Sequence, residues 1–220
     1  MSTRYRLLSF HQSQNPTPVF LSQMRSATHQ RDMILRATSA HALQWRYASV
    51  KTEHSALPSI AHWVNEVDFA SLAHAHAWAD EIKQLPILAS SLVFYAIGEV
   101  LIPKQPDNHS TPPLLVFRFA KKSALLNRTQ FSQYWRDTHA PIACASPYLQ
   151  RYEQVHTIAS SDPAWHWDGF TVSCFNGIEE MHQHAQHPAG RAAAYDTKHF
   201  LTPTAQPYVV SHKEGQIQLG

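Results

Sequence analysis

Trp135 and His139 lie four residues apart, so on a helix their side chains share one face, and an imidazole beside an aromatic wall can pass a proton to or from a bound molecule. Thr129 is placed to cap that helix, and Phe131, Tyr134, Trp135, Thr138 and His139 follow at i, i+3, i+4, i+7 and i+8. Pro141 disfavours helical geometry at Ala140, so the helix is expected to end there. His139 would then sit beside the negative end of the helix dipole, which favours its charged form. It can serve as a general acid and, once deprotonated, as a base; it can equally cap free carbonyls. His29 holds the matching place 110 residues earlier and is a candidate for a second pocket wall.

Two further pairs carry useful chemistry. Arg151 and Tyr152 open a strand, where neighbours face opposite ways, so one of the two looks into any interior. A tyrosine there donates to a carbonyl or enolate oxygen, and an arginine forks onto a carboxylate; ordinary packing is the competing reading. Tyr195, Asp196 and His199 are placed to close a pocket mouth, with Asp196 and His199 at i, i+3 read as a solvated pair. Of the sixteen histidines, those in HAH at 74–76 and HQHAQH at 182–187 fall on expected helices, where i and i+2 diverge. Only His184 and His187 share a face, and neither HExxH nor a carboxylate complement accompanies them, so no metal site is expected.

Composition removes several classes. Six glycines never come close enough for a GxG or GxxxxGK loop, which excludes phosphate-cradling nucleotide motifs. Cys144 and Cys174 are the only cysteines, too few for a disulfide scaffold or a thiolate zinc site. Lys and Arg are scattered and the formal charge is +2, so no nucleic-acid partner is expected. There is no 18-residue apolar run and no signal-peptide pattern, so the expectation is a cytoplasmic protein without a membrane partner.

The elements that position these residues come in two copies. IPKQPDNHSTPP, residues 102–113, reads as a Pro-rich linker between a first repeat over 1–101 and a second over 114–220. YRLLSFHQ (Tyr5 to Gln12) and LLVFRFAK (Leu114 to Lys121) open the halves as strands. LQWRYASV (Leu43 to Val50) matches LQRYEQV (Leu149 to Val155), with Trp45 as one extra residue. WVNEVDFASLAHAHA parallels WDGFTVSCFNGIEEMHQ, each a strand turning into a helix, and SLVFYAIGEVLI and QPYVVSHKEGQI close the halves. The order βαββαβ in each half is the ferredoxin-like unit, an α+β fold with helices on one sheet face. Two linked copies can cover each other's open faces as an intramolecular pseudo-dimeric barrel.

FSQYWRDTHAPIACASPYLQRYEQVHTI, from Phe131 to Ile158, resembles the EthD-domain family, with its YW..HAP helix followed by a P.L..Y strand. HPAGRAAAYDTKHFLTP, from His187 to Pro203, resembles that family's small-residue-rich second helix and its D..xFL.P ending. The resemblance covers 114–215; the first half lacks HAP and enters only as a diverged repeat. It implies a dimeric α+β barrel whose interior takes a small cyclic or polyketide-like molecule, in a family that includes lactone isomerases and polyketide cyclases or dehydratases.

The expected function is general acid–base chemistry without a cofactor on a small cyclic or polyketide-like carbonyl compound: isomerisation, cyclisation or dehydration. His139, Tyr152 and Arg151 are the expected catalytic residues, and Trp135, Tyr134, Phe117, Tyr195, His199 and His29 the expected substrate contacts. A binding protein or carrier without chemistry is the alternative, and a haem-binding barrel a third. The expected partner is the small-molecule substrate, with a homodimer of the whole chain left open.

Overall fold

In the computed structural model the described residues are 3–13, 17–51, 62–82, 91–104, 112–160, 167–203 and 208–219. The first half supplies β1 (Arg4–Ser13), β2 (Ala42–Val50), β3 (Trp63–Phe69) and β4 (Ser91–Lys104), and the second β5 (Leu114–Ala120), β6 (Arg151–Ser160), β7 (Gly169–Phe175) and β8 (Tyr208–Gln218). Their lateral order, β1-β3-β2-β8-β5-β7-β6-β4, returns on itself as a closed barrel. Each half alone has the order fourth, first, third, second strand, the ferredoxin-like pattern. The antiparallel seams β2–β8 and β4–β6 join the halves and leave no open sheet edge. Strand β4 reaches Lys104, taking in the first three residues of the expected linker; residues 105–111 of it lie outside the described set.

Strand alternation divides the side chains into two layers. Leu8, Phe10, Leu115, Phe117, Phe119, Phe170, Val172 and Cys174 pack inside the barrel, while Leu114, Val116, Tyr152 and Phe175 face outward to the helices of the second half. Among the described residues these side chains fill the barrel interior, and the cavity of the second half lies outside it, on the helix-facing side of the sheet, rather than in the interior expected from the family resemblance. Towards one end the interior is ionic. Arg6 donates to Asp68 (2.6 Å), Glu66 (2.7 Å) and Glu153, Arg46 to Glu66 (2.8 Å) and Glu153 (2.7 Å), and Arg151 to Glu153 (2.6 Å). Three guanidinium groups meet three carboxylates from both halves, the pairing that buried charge requires. The repeat seen in sequence is thus physical: Arg46 and Arg151 both enter this network, and Tyr47 and Tyr152 both turn to the helices.

The helices lie outside the barrel. In the first half the stripe from Leu21 to His29 is cut in two, α1 (Thr17–Arg25) and α2 (Ala27–Ser39), because the Ser26 hydroxyl accepts from His29 N–H and caps a new helix. A third helix, α3 (Leu72–Ile82), buries Ala75, Trp78, Ala79 and Ile82. In the second half, α4 (Arg128–Tyr134) begins not at Thr129 but at Asn127, whose side chain accepts from Gln130 N–H (2.9 Å) while Gln130 Oε1 accepts from Asn127 N–H (3.0 Å). That reciprocal box satisfies two free amides at once, which Thr129 could not.

The helix also does not stop at Ala140. It widens into a π-helical turn over Trp135–His139 and continues as α5 (Ala140–Cys144). Pro141 has no N–H to give, and its ring would press on the carbonyl four residues back in a regular helix. The wider turn, with Ala140 N–H bonded to Trp135 O, accommodates it. Two short helices, α6 (Ile178–Gln186) and α7 (Pro188–Asp196), complete the layer. His187 lies between them and accepts from Ala189 N–H through Nδ1, so it does not share a helix face with His184. Among the described residues no helix is long and apolar enough to cross a membrane.

Candidate functional site

A cavity of about 300 Å³ lies between the outer sheet face of the second half and its helices. Its floor is built by period-two alternation along three adjacent strands: Arg118 on β5, Thr171 and Ser173 on β7, and Tyr152 on β6. Arg118 stands directly opposite Thr171, and Ser173 opposite Tyr152. Trp135 and His139 come from the π-helical turn, Ala143 from α5, His184 from α6, and Gly190 and Ala193 from α7. Trp135 reaches down to Gly169, where an added Cβ would stand 2.7 Å from its ring. Its indole N–H donates to Tyr152 Oη (3.4 Å), and its carbonyl accepts from Gln154 Nε2 (2.8 Å).

His139 is the centre of this wall. Its Nδ1–H donates to Asp196 Oδ2 at 2.9 Å, the direction a carboxylate demands, so Nε2 keeps its lone pair. The other carboxylate oxygen accepts from Tyr134 Oη at 2.8 Å. Phe200 packs on both rings, 4.8 Å from the imidazole and 5.4 Å from the phenol. Burial lowers the His139 pKa below the ordinary histidine value, against the opposing pull of Asp196. The helix-end argument for a charged imidazole is overturned, since the chain continues as a helix and burial outweighs the partner. Burial likewise pushes Tyr152 up to about 12, so its hydroxyl keeps its proton.

Of the residues singled out in the sequence, His139, Trp135 and Tyr152 come together in the cavity. Arg151 does not join them: it turns into the barrel and pairs with Glu153. Phe117 is inside the barrel against Phe10 (5.9 Å). Tyr134 is not in the lining; it acts on Asp196. Tyr195 and His199 are exposed and pack edge to face with each other, away from the cavity. His29 belongs to the first half, where Phe20, Met24, Trp45, Tyr47 and Trp63 pack in the helix-facing layer; its Nε2 is buried with no partner among the described residues, and burial lowers its pKa.

Asp196 is not in a solvated pair with His199: it is buried and bonded to His139, 57 residues away, a long-range contact that helical spacing does not encode. Arg118 adds a cation to the site, and a cation in the middle of LLVFRFA is itself a signal in a strand buried on both faces. Thr171, Ser173 and His184 carried no such signal. Among the described residues no group of three or more His, Cys, Asp or Glu is placed to hold a metal ion.

Residues 125–204 match the family model of the EthD domain. A solved anthrone oxidase-like protein superposes with a TM-score of 0.68 at 9% identity, covering 100% of this chain and 94% of its own. A chlorite dismutase variant from Candidatus Nitrospira defluvii, in complex with cyanide, superposes with a TM-score of 0.59 at 13% identity over 94% and 90% of the two chains. At such identities the likeness is one of fold. No curated protein matches the sequence.

Proposed function

Taking the EthD domain over residues 125–204 as the premise, we propose that the second half is an acid–base site for a small cyclic or polyketide-like carbonyl compound. The observation that carries this is the buried Asp196–His139 pair on the wall of the cavity. With Nδ1–H held by the carboxylate and its pKa lowered, His139 is neutral at pH 7 and offers Nε2 as a base. Nε2 takes a proton from the carbon next to the carbonyl, the electron pair of that C–H bond becomes a carbon–carbon double bond, and the π pair of the carbonyl moves onto its oxygen. Asp196 steadies the imidazolium that results, and the Tyr152 hydroxyl donates to the enolate oxygen. Returning the proton to another carbon gives isomerisation. Delivering it to a departing hydroxyl gives dehydration, and attack of the enolate carbon on a second carbonyl gives cyclisation.

The test is exchange of the α-hydrogens of a cyclic aryl ketone, α-tetralone, and of its carboxylated analogue with D2O, followed by NMR. His139→Gln should slow the catalysed exchange by about 10²–10⁴-fold with the fold intact. The wild-type rate should rise with pH and level off below the ordinary histidine value of ~6.5, because the folded pKa is lowered. Undiminished exchange in the variant would sink the assignment. If ligands come back unchanged and His139→Gln keeps full affinity, the site is one of binding alone. A porphyrin does not fit a space of about 300 Å³, the low end for small-molecule sites, with Trp135 closed down on Gly169. Added hemin should therefore keep the broad absorbance of the free compound, with no sharpened or shifted Soret band.

A further inference from the structure

Arg118 separates itself from every other buried arginine in the protein. Arg6, Arg46 and Arg151 each meet carboxylates inside the barrel, whereas Arg118, half-buried on the floor of the cavity, makes no ion pair among the described residues. A ring neighbour is Tyr208, whose centroid lies 5.6 Å from the guanidinium carbon. Burial lowers its pKa, opposed by the neighbouring Tyr152 and Tyr208, and neither of these is a carboxylate. A desolvated cation without a counter-charge weakens a fold unless a ligand supplies that charge. Around it the polar groups are also unmet. Among the described residues, Thr171, directly opposite Arg118 in the strand register and 8% exposed, has no partner for Oγ1, and His184 above has none for Nδ1.

We propose that Arg118, Thr171 and His184 form a carboxylate subsite, so that the ligand is a cyclic or polyketide-like carbonyl compound that also bears a carboxylate. The inference rests on the acid–base reading for which end of the ligand reacts. The planar fork of Arg118 takes the two carboxylate oxygens, the Thr171 hydroxyl and the His184 Nδ1–H donate to the same group, and the reactive carbon is turned to His139. The carboxylate is bound throughout and is not itself transformed.

Titration calorimetry with benzoate and with benzamide, a neutral molecule of the same shape, tests this. Wild-type protein should bind benzoate about tenfold or more tightly than benzamide. Arg118→Gln should abolish that preference, Arg118→Lys should keep part of it, and Thr171→Val should weaken benzoate alone. Without ligand, Arg118→Gln should melt no lower than wild type, because it removes an uncompensated cation. Equal binding of acid and amide overturns the subsite, as does a preference that survives Arg118→Gln or a variant that melts well below wild type. His139→Gln should leave the benzoate preference in place. Wild-type protein that shows the benzoate preference but catalyses no α-hydrogen exchange counts against the acid–base reading alone, and wild-type protein that catalyses exchange without the preference counts against the subsite alone.

Discussion

Asp196 accepts one hydrogen bond on each carboxylate oxygen, from His139 and from Tyr134, and the two donors pull on it in opposite senses. The charge of Asp196 raises the His139 pKa against burial. In Asp196→Asn that support is gone, so the pKa falls further. The acid limb of the exchange rate should move to lower pH while the rate falls by about 10–100-fold, as for other groups that orient an imidazole. Tyr134→Phe should move the limb the other way, because a carboxylate relieved of the phenol holds the imidazolium more strongly. Opposite displacements identify the two as positioning residues; superimposable profiles would count against the pair. This coupling was not legible in the sequence, where Asp196 stands three residues from His199 and 57 from its true partner. The His139 stripe was legible because it is local.

At the scale of elements, the junction of α6 and α7 sets the width of the cavity. A Cβ on Gly190 would stand 1.8 Å from the carbonyl oxygen of His184, a backbone atom that cannot swing aside. Gly190→Ala should cost at the upper end of the ~1–3 kcal/mol typical of overpacking, read as a lowered melting temperature. Gly177 at the start of α6 is extended and has nothing within 4 Å, so Gly177→Ala should be close to neutral. Equal effects would refute the close approach of the two helices. Strand order and the repeat could be read from the sequence because Leu149–Gln150–Arg151–Tyr152 and its copy carry the same alternation. The π-helical turn could not: Pro141 signals a break, and only the packing of Trp135 onto β6 and β7 shows that the helix widens and goes on. The side of the sheet that holds the cavity is not encoded locally for a related reason, since alternation says that Arg151 and Tyr152 part ways but not which one looks inward.

For the whole molecule, burial of histidines in both halves sets the response to acid. His11 is lowered to about 3, His156 to about 4 and His184 to about 4, each chiefly by burial, and His29 and His139 are lowered too. Between about pH 4 and the unfolded value of ~6.5, the unfolded chain binds protons that the native state refuses, so this stability is complete above ~6.5 and is lost as pH falls. Urea midpoints should drop between pH 7 and pH 5, with unfolding near pH 5 taking up about three protons from His11, His156 and His184. A flat profile would mean that these side chains are not buried together. The seams β2–β8 and β4–β6 have a different consequence. Tying the halves into one chain replaces an association equilibrium with an effective concentration fixed by the tether, so barrel closure should not weaken on dilution. The same tether fixes the two halves in one orientation, with aromatic packing around Trp45, Tyr47 and Trp63, among the described residues, on the face of the first half that corresponds to the cavity side of the second.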